Sequence, residues 1–111
     1  MKITFEDHDR KTGIGVQGTL SVDETDTFRR AFLERINDGK IEMVLDLLNL
    51  EMIDSAGLEL LLWLSEEVSR CGGQLRLVRP SEAVGKIFSI TRLEQRFSMH
   101  DSVESAARSL V

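Results

Sequence analysis

The hydrophobic positions change period along the chain, and each period predicts an element. "KITFE" alternates apolar and polar residues, and after the charged turn Asp7–Thr12 comes "GIGVQGTL". Together they predict an N-terminal antiparallel hairpin. The glycine clusters around Gly13–Gly18 and at Gly72-Gly73 read as turns. Ser21-Val22-Asp23-Glu24 fits the S-x-x-E capping box, in which serine and glutamate each satisfy a free amide at a helix start. Behind it Phe28, Phe32 and Ile36 recur every four residues, with Arg29, Arg30, Glu34 and Arg35 mostly elsewhere. Asn37-Asp38-Gly39 ends that helix.

"MVLDLLNL" is a near-continuous apolar run, the mark of a strand buried on both faces, ending near Leu48. A second helix is expected from about Ala56 to Arg70, stopped by Gly72-Gly73. "QLRLVRP" alternates as a strand and halts at Pro80; Ser81 caps a short helix carrying Val84, Ile87 and Phe88. A short strand around Phe97–Met99 leads into a last helix, opened by Asp101-Ser102-x-Glu104 and carrying Val103, Ala106, Ala107 and Leu110. Strands alternating with helices need crossover connections, which make the inner strands parallel. The expectation is an α/β protein, a single layered domain over 1–111. Its sheet is mixed and mostly parallel, with four to five strands, an antiparallel hairpin and about four helices.

Composition narrows the function. The chain has 111 residues, 41% hydrophobic and 30% charged, the profile of a soluble globular domain. The opening "MKITFEDHDRK" is too charged for a signal peptide, and the run Leu58–Leu64 contains Glu59 and is too short to cross a bilayer. The lone Cys71 has no internal partner for a disulfide, which suggests a reducing, cytoplasmic setting; it reads as a small semi-buried filler. A net charge of −5, with scattered basic residues and no basic run longer than a pair such as Arg29-Arg30, argues against nucleic acid and for a protein partner or a small molecule.

Asp54-Ser55-Ala56-Gly57 lies between the apolar strand and the second helix. In open α/β sheets, ligand chemistry gathers beyond the carboxyl ends of strands. A helix start there offers unpaired amides and partial positive charge, so it tolerates a phosphoryl group. Gly57 permits close approach of another molecule to the backbone. On spacing alone Ser55 reads first as an ordinary helix cap, although Leu58 three residues later leaves the capping box incomplete. At 100° per residue, Leu58, Leu61, Leu62, Ser65 and Val68 share one helix face, with Leu64 on its flank. Glu59, Trp63, Glu66, Glu67 and Arg70 share the other. Trp63 therefore falls on the charged face. Either it packs under a neighbour or across Glu59 and Arg70, or it is an exposed anchor for a partner.

"MVLDLLNLEMIDSAGLELLLWL" resembles the core signature of STAS domains, in particular bacterial anti-sigma factor antagonists. The likeness continues through "CGGQLRLVRPSEAVGKIFSITRLEQRFSMHDSVESAARSL" and is loose in the N-terminal third. It implies a STAS-like fold and a non-enzymatic phospho-switch. The unmodified form would bind a partner-switching anti-sigma factor that is also a serine kinase of the GHKL ATPase type. That kinase would phosphorylate Ser55 and dissociate, and a PP2C-type phosphatase would restore the serine. Asp54, Ala56 and Gly57 would form the phosphosite environment, and Ser21, Asp23, Leu58, Glu59 and Trp63 the partner surface. The resemblance implies no cofactor, metal or membrane, and a monomer or weak dimer. Two positions depart from the pattern: Ser21 stands where an acidic residue is common, and Arg92 where glycine is common.

Within the family, a non-switching scaffold in a stress-sensing assembly or lipid transporter is the main alternative. A serine hydrolase is the remote one. The only histidines are His8 and His100, and I-D-S-A-G lacks the G-x-S-x-G elbow.

Overall fold

The hairpin forms with a tighter turn than the charge pattern suggested. In the computed structural model of the chain, which describes residues 1–109, strands β1 (Lys2–His8) and β2 (Lys11–Leu20) pair antiparallel from Lys2↔Gln17 to His8↔Lys11. Only Asp9 and Arg10 remain as the loop, and Asp9 supplies the positive φ, 55°. Gly13 and Gly15, expected in a turn, lie inside β2. Ile14 and Val16 alternate with them and are 2% exposed. Period-two burial overrides the glycine signal.

Helix α1 (Thr25–Asn37) buries Phe28 and Phe32, whose rings lie 4.3 Å apart, and Phe5 of β1 meets Phe32 edge-on at 6.1 Å. The run "MVLDLLNL" is not one strand. It breaks after β3 (Glu42–Asp46), and a further strand β4 (Leu50–Ile53) follows. The break is chemical: the Asp46 carboxylate accepts the Leu48 amide at 3.1 Å, a local turn that ends β3 before β4 resumes in the same direction. Helix α2 (Ser55–Arg70) then leads to β5 (Gln74–Val78), α3 (Glu82–Ile90), β6 (Ser98–His100) and α4 (Val103–Ser109). Gly72, at φ 86°, allows the turn out of α2. Ser81 caps α3 by accepting from Val84, and Ser102 accepts the Ser105 amide at the start of α4. The expected contribution of Leu110 lies outside the described residues.

The sheet runs β1-β2-β3-β5-β6, with β4 as a sixth strand beside the second half of β2. All pairs except β1–β2 are parallel. A register shift between Gly18 and Thr19 lets β2 change partner from β3 to β4. β3 is buried on both faces, as its sequence implied. Met43 and Leu45 join the main core with α1, α2 and α3, while Val44 packs with Val78 and Ala106 of α4.

Candidate functional site

Asp54, not Ser55, caps α2. Its backbone is extended (φ −99°, ψ −177°), and its Oδ1 accepts the Gly57 amide at 2.9 Å. Aspartate reaches the third amide of a helix as readily as serine, and it stands one residue earlier. Its own amide donates to the Leu20 carbonyl at 3.2 Å, tying the helix start to the end of β2. The second oxygen, Oδ2, accepts the Val22 amide at 3.0 Å. The Gly57 amide holds this carboxyl below its ordinary pKa; partial desolvation acts the other way, and the Val22 amide adds to the lowering.

With the cap taken, Ser55 is the first residue of the helix, is exposed, and makes no side-chain hydrogen bond among the described residues. Ala56 follows half-buried. Gly57 is buried, and its missing side chain serves the fold rather than a visitor. A Cβ there would lie 2.7 Å from both the Leu20 carbonyl oxygen and Ile53 Cγ1. The close approach expected from a partner is already made by β2 and β4.

The capping box at Ser21 does not form. Val22–Glu24 is a turn of 3-10 helix in which the Ser21 carbonyl, not its hydroxyl, accepts the Glu24 amide at 2.9 Å. The Asp54 carboxylate takes the Val22 amide, so a long-range contact fixes this turn. Asp23 is exposed and Ser21 half-buried beside it.

The buried stripe of α2 is rotated from the one expected: Leu58, Leu60, Leu61, Leu64 and Val68 are in the core, and Leu62 and Ser65 are half-buried. Leu58, assigned to the partner surface, is 8% exposed, so it supports that surface from beneath. Glu59 is exposed. Trp63 is half-buried against the core, with the Arg29 guanidinium of α1 5.1 Å from its ring centroid. It packs under a neighbouring element, and its polar cover is Arg29 rather than Glu59 or Arg70.

Two exposed apolar residues near the helix start escaped the sequence reading. Val22 is 64% exposed, and Met52 of β4 is 47% exposed. Val22 had a signal, being apolar within S-V-D-E without a periodic partner. Met52 had none, because β4 was not expected. Cys71 is exposed rather than semi-buried. His100 pairs with Ser105 Oγ at 3.2 Å, and neither histidine hydrogen-bonds Ser55.

A mixed, mostly parallel sheet with its helix-start turn beyond the strand ends is the frame of a STAS domain, and the chain belongs to that family, matched over residues 2–106. It is 32% identical over 88 residues, 78% of each chain, to a Thermotoga neapolitana protein named as an anti-sigma factor antagonist. The solved Thermotoga maritima protein described in the same terms superposes with a TM-score of 0.90 at 23% identity, covering 97% of this chain and 93% of that one. The unphosphorylated anti-sigma factor antagonist SpoIIAA superposes at 0.81, with 25% identity and 99% of both chains covered. For its phosphorylated form, from Bacillus, the values are 0.75, 23% and 97%. Among the described residues no helix is long and apolar enough to cross a membrane.

Proposed function

We propose that the chain, as one STAS domain over 1–111, is a cytoplasmic anti-sigma factor antagonist that switches partners through Ser55. The observation that carries this reading is the division of labour at the helix start. Asp54 satisfies the cap and leaves the Ser55 hydroxyl exposed and unengaged. A serine needed as a cap would lose that role on modification; this one does not.

Unmodified, the chain binds a serine-kinase anti-sigma factor of the GHKL type through the ground around the helix start: exposed Val22, Asp23, Met52, Ser55 and Glu59 with half-buried Ser21. The kinase transfers the γ-phosphoryl of ATP to Ser55 Oγ, with ADP leaving and the hydroxyl proton passing to a base of the kinase. The phosphate brings about −1.5 to −2 charge next to an ionised Asp54. In a dry interface that pair repels, and the complex separates. A PP2C-type phosphatase returns the serine. The names of the relatives, and a structural neighbour described in both phosphorylated and unphosphorylated forms, support the reading.

The test is incubation with candidate GHKL kinases and ATP, followed by mass mapping. Phosphate is expected on Ser55. Ser55→Ala should bind the kinase constitutively and Ser55→Asp poorly; equal affinities for the two variants would count heavily against the switch. No modification, together with co-purification of a transporter ATPase, would favour a scaffold instead.

A further inference from the structure

β1 forms an outer edge of the sheet. β1 is hydrogen-bonded only to β2 among the described residues. The two-residue loop makes His8–Lys11 the hydrogen-bonded pair that closes the hairpin. By strict alternation, Lys2, Thr4, Glu6 and His8 aim their backbone groups at β2, and Ile3, Phe5 and Asp7 aim theirs outward. An open edge of this kind is a template for another strand.

We propose that the occupant of this edge is β1 of a second copy, antiparallel about a two-fold axis at Thr4. That register places Ile3 opposite Phe5 of the other copy, and both carry outward backbone groups, so two reciprocal pairs of N–H···O=C bonds form. It places Lys2 opposite Glu6 twice, and both residues are exposed. Cross-strand pairs of opposite charge are favourable, and like charges directly opposite are not. On the helix-covered face, Ile3 and Phe5, half-buried against the core, extend the apolar layer across the junction.

Neighbouring registers lose this match. Centring on Phe5 sets Asp7 against Ile3, Glu6 against Thr4 and Lys2 against His8, with no carboxylate opposite the lysine; centring on Ile3 sets Lys2 against Thr4 and drops Glu6. Edge charges normally deter pairing, but the order K-I-T-F-E reads as its own complement in the antiparallel sense. The contact is isologous and closes at two copies. It spans about five residues a side and falls well below the ~1,200–2,000 Å² of a standard interface. The dimer is accordingly weak and concentration-dependent. The edge is independent of the Ser55 switch.

Sedimentation velocity over a concentration series, from low micromolar to near-millimolar protein, tests this. Wild type should shift from monomer to dimer, less so at high salt. Lys2→Glu and Glu6→Lys should each stay monomeric, and the double reversal Lys2→Glu/Glu6→Lys should regain the wild-type shift. Circular dichroism melts of all four should coincide, since both positions are exposed. A wild type monomeric throughout overturns the proposal. So do single reversals that dimerise like wild type, or a double reversal that does not recover.

Discussion

The Asp54 carboxylate reaches back 32 residues to the Val22 amide, 3.0 Å from Oδ2, while Oδ1 caps its own helix through Gly57 at 2.9 Å. One side chain thus fixes two neighbouring pieces of surface: the start of α2, where Ser55 sits, and the 3-10 turn bearing Val22 and Asp23. Any partner touching both depends on that carboxylate for their relative position.

Replacing Asp54 by alanine should lower the urea midpoint and weaken partner binding together, because both amides lose their acceptor. Asp54→Asn should fall between, since its one carbonyl oxygen still caps Gly57 but its amide group presents a donor to the Val22 N–H. Identical losses from the two variants would show that the Gly57 cap adds nothing beyond the Val22 contact, and an Asp54→Asn variant equal to wild type would show that the Val22 contact carries nothing.

The same bonds set a pH dependence. The folded pKa of Asp54 lies below its ordinary value of 3.8, first because of the Gly57 amide. A depressed carboxyl contributes stability that is fully present above the unfolded pKa and is lost as pH falls through the folded one. The difference in urea midpoint between wild type and Asp54→Asn should therefore hold near neutrality and close below about pH 4. A gap that stays constant through that range would remove the carboxylate from the account.

Gly57→Ala tests the packing beneath the site. Alanine is favoured over glycine within helices by roughly 0.5–1 kcal/mol, but here its Cβ meets the Leu20 carbonyl and Ile53 at 2.7 Å. Overpacking typically costs about 1–3 kcal/mol, so the variant should be less stable than wild type on urea unfolding. The Leu20 carbonyl also accepts the Asp54 amide, so the damage should reach the cap. A net gain in stability would mean the helix start can shift freely.

Most elements were legible because period and burial agree. Phe28 and Phe32 mark α1, and Leu75 and Leu77 mark β5. What failed was decided by contacts distant in sequence or by single polar atoms. Asp46 ends β3 by binding the Leu48 amide, which no hydropathy window registers. Ser21 carries the local pattern of a cap, yet the Glu24 amide it would take goes to the Ser21 carbonyl instead, in a turn held by the Val22–Asp54 bond. At the site, the motif located Ser55 correctly at a helix start, but spacing alone did not say which of Asp54 and Ser55 would take the cap. That choice decides whether the serine hydroxyl is engaged.

Trp63 offers a spectroscopic handle on the α1–α2 seam. Arg29 lies over its ring at 5.1 Å, an arrangement worth roughly 0.5–1 kcal/mol at an exposed site. Arg29→Ala should uncover the indole, shift its fluorescence to longer wavelength and lower stability by about that much. An unchanged emission maximum would show that the ring is shielded by the core alone.

Arg92 is a strained position that substitution can relieve. It sits at φ 60°, ψ 19° in the turn after α3, with its amide on the Ser89 carbonyl at 3.1 Å. The left-handed conformation costs a residue with a Cβ about 1–2 kcal/mol, and glycine escapes that penalty. Glycine in turn gives back about 0.4–1 kcal/mol through the added freedom of the unfolded chain. The net expectation for Arg92→Gly is a gain of about 0.5 kcal/mol, or roughly 2–4 °C in Tm for a domain near this size. Arg92→Ala separates backbone from side chain, since it keeps the Cβ and discards the exposed guanidinium. If alanine stabilises as much as glycine, the benefit comes from removing a charge, and the turn is not strained in the way its φ implies.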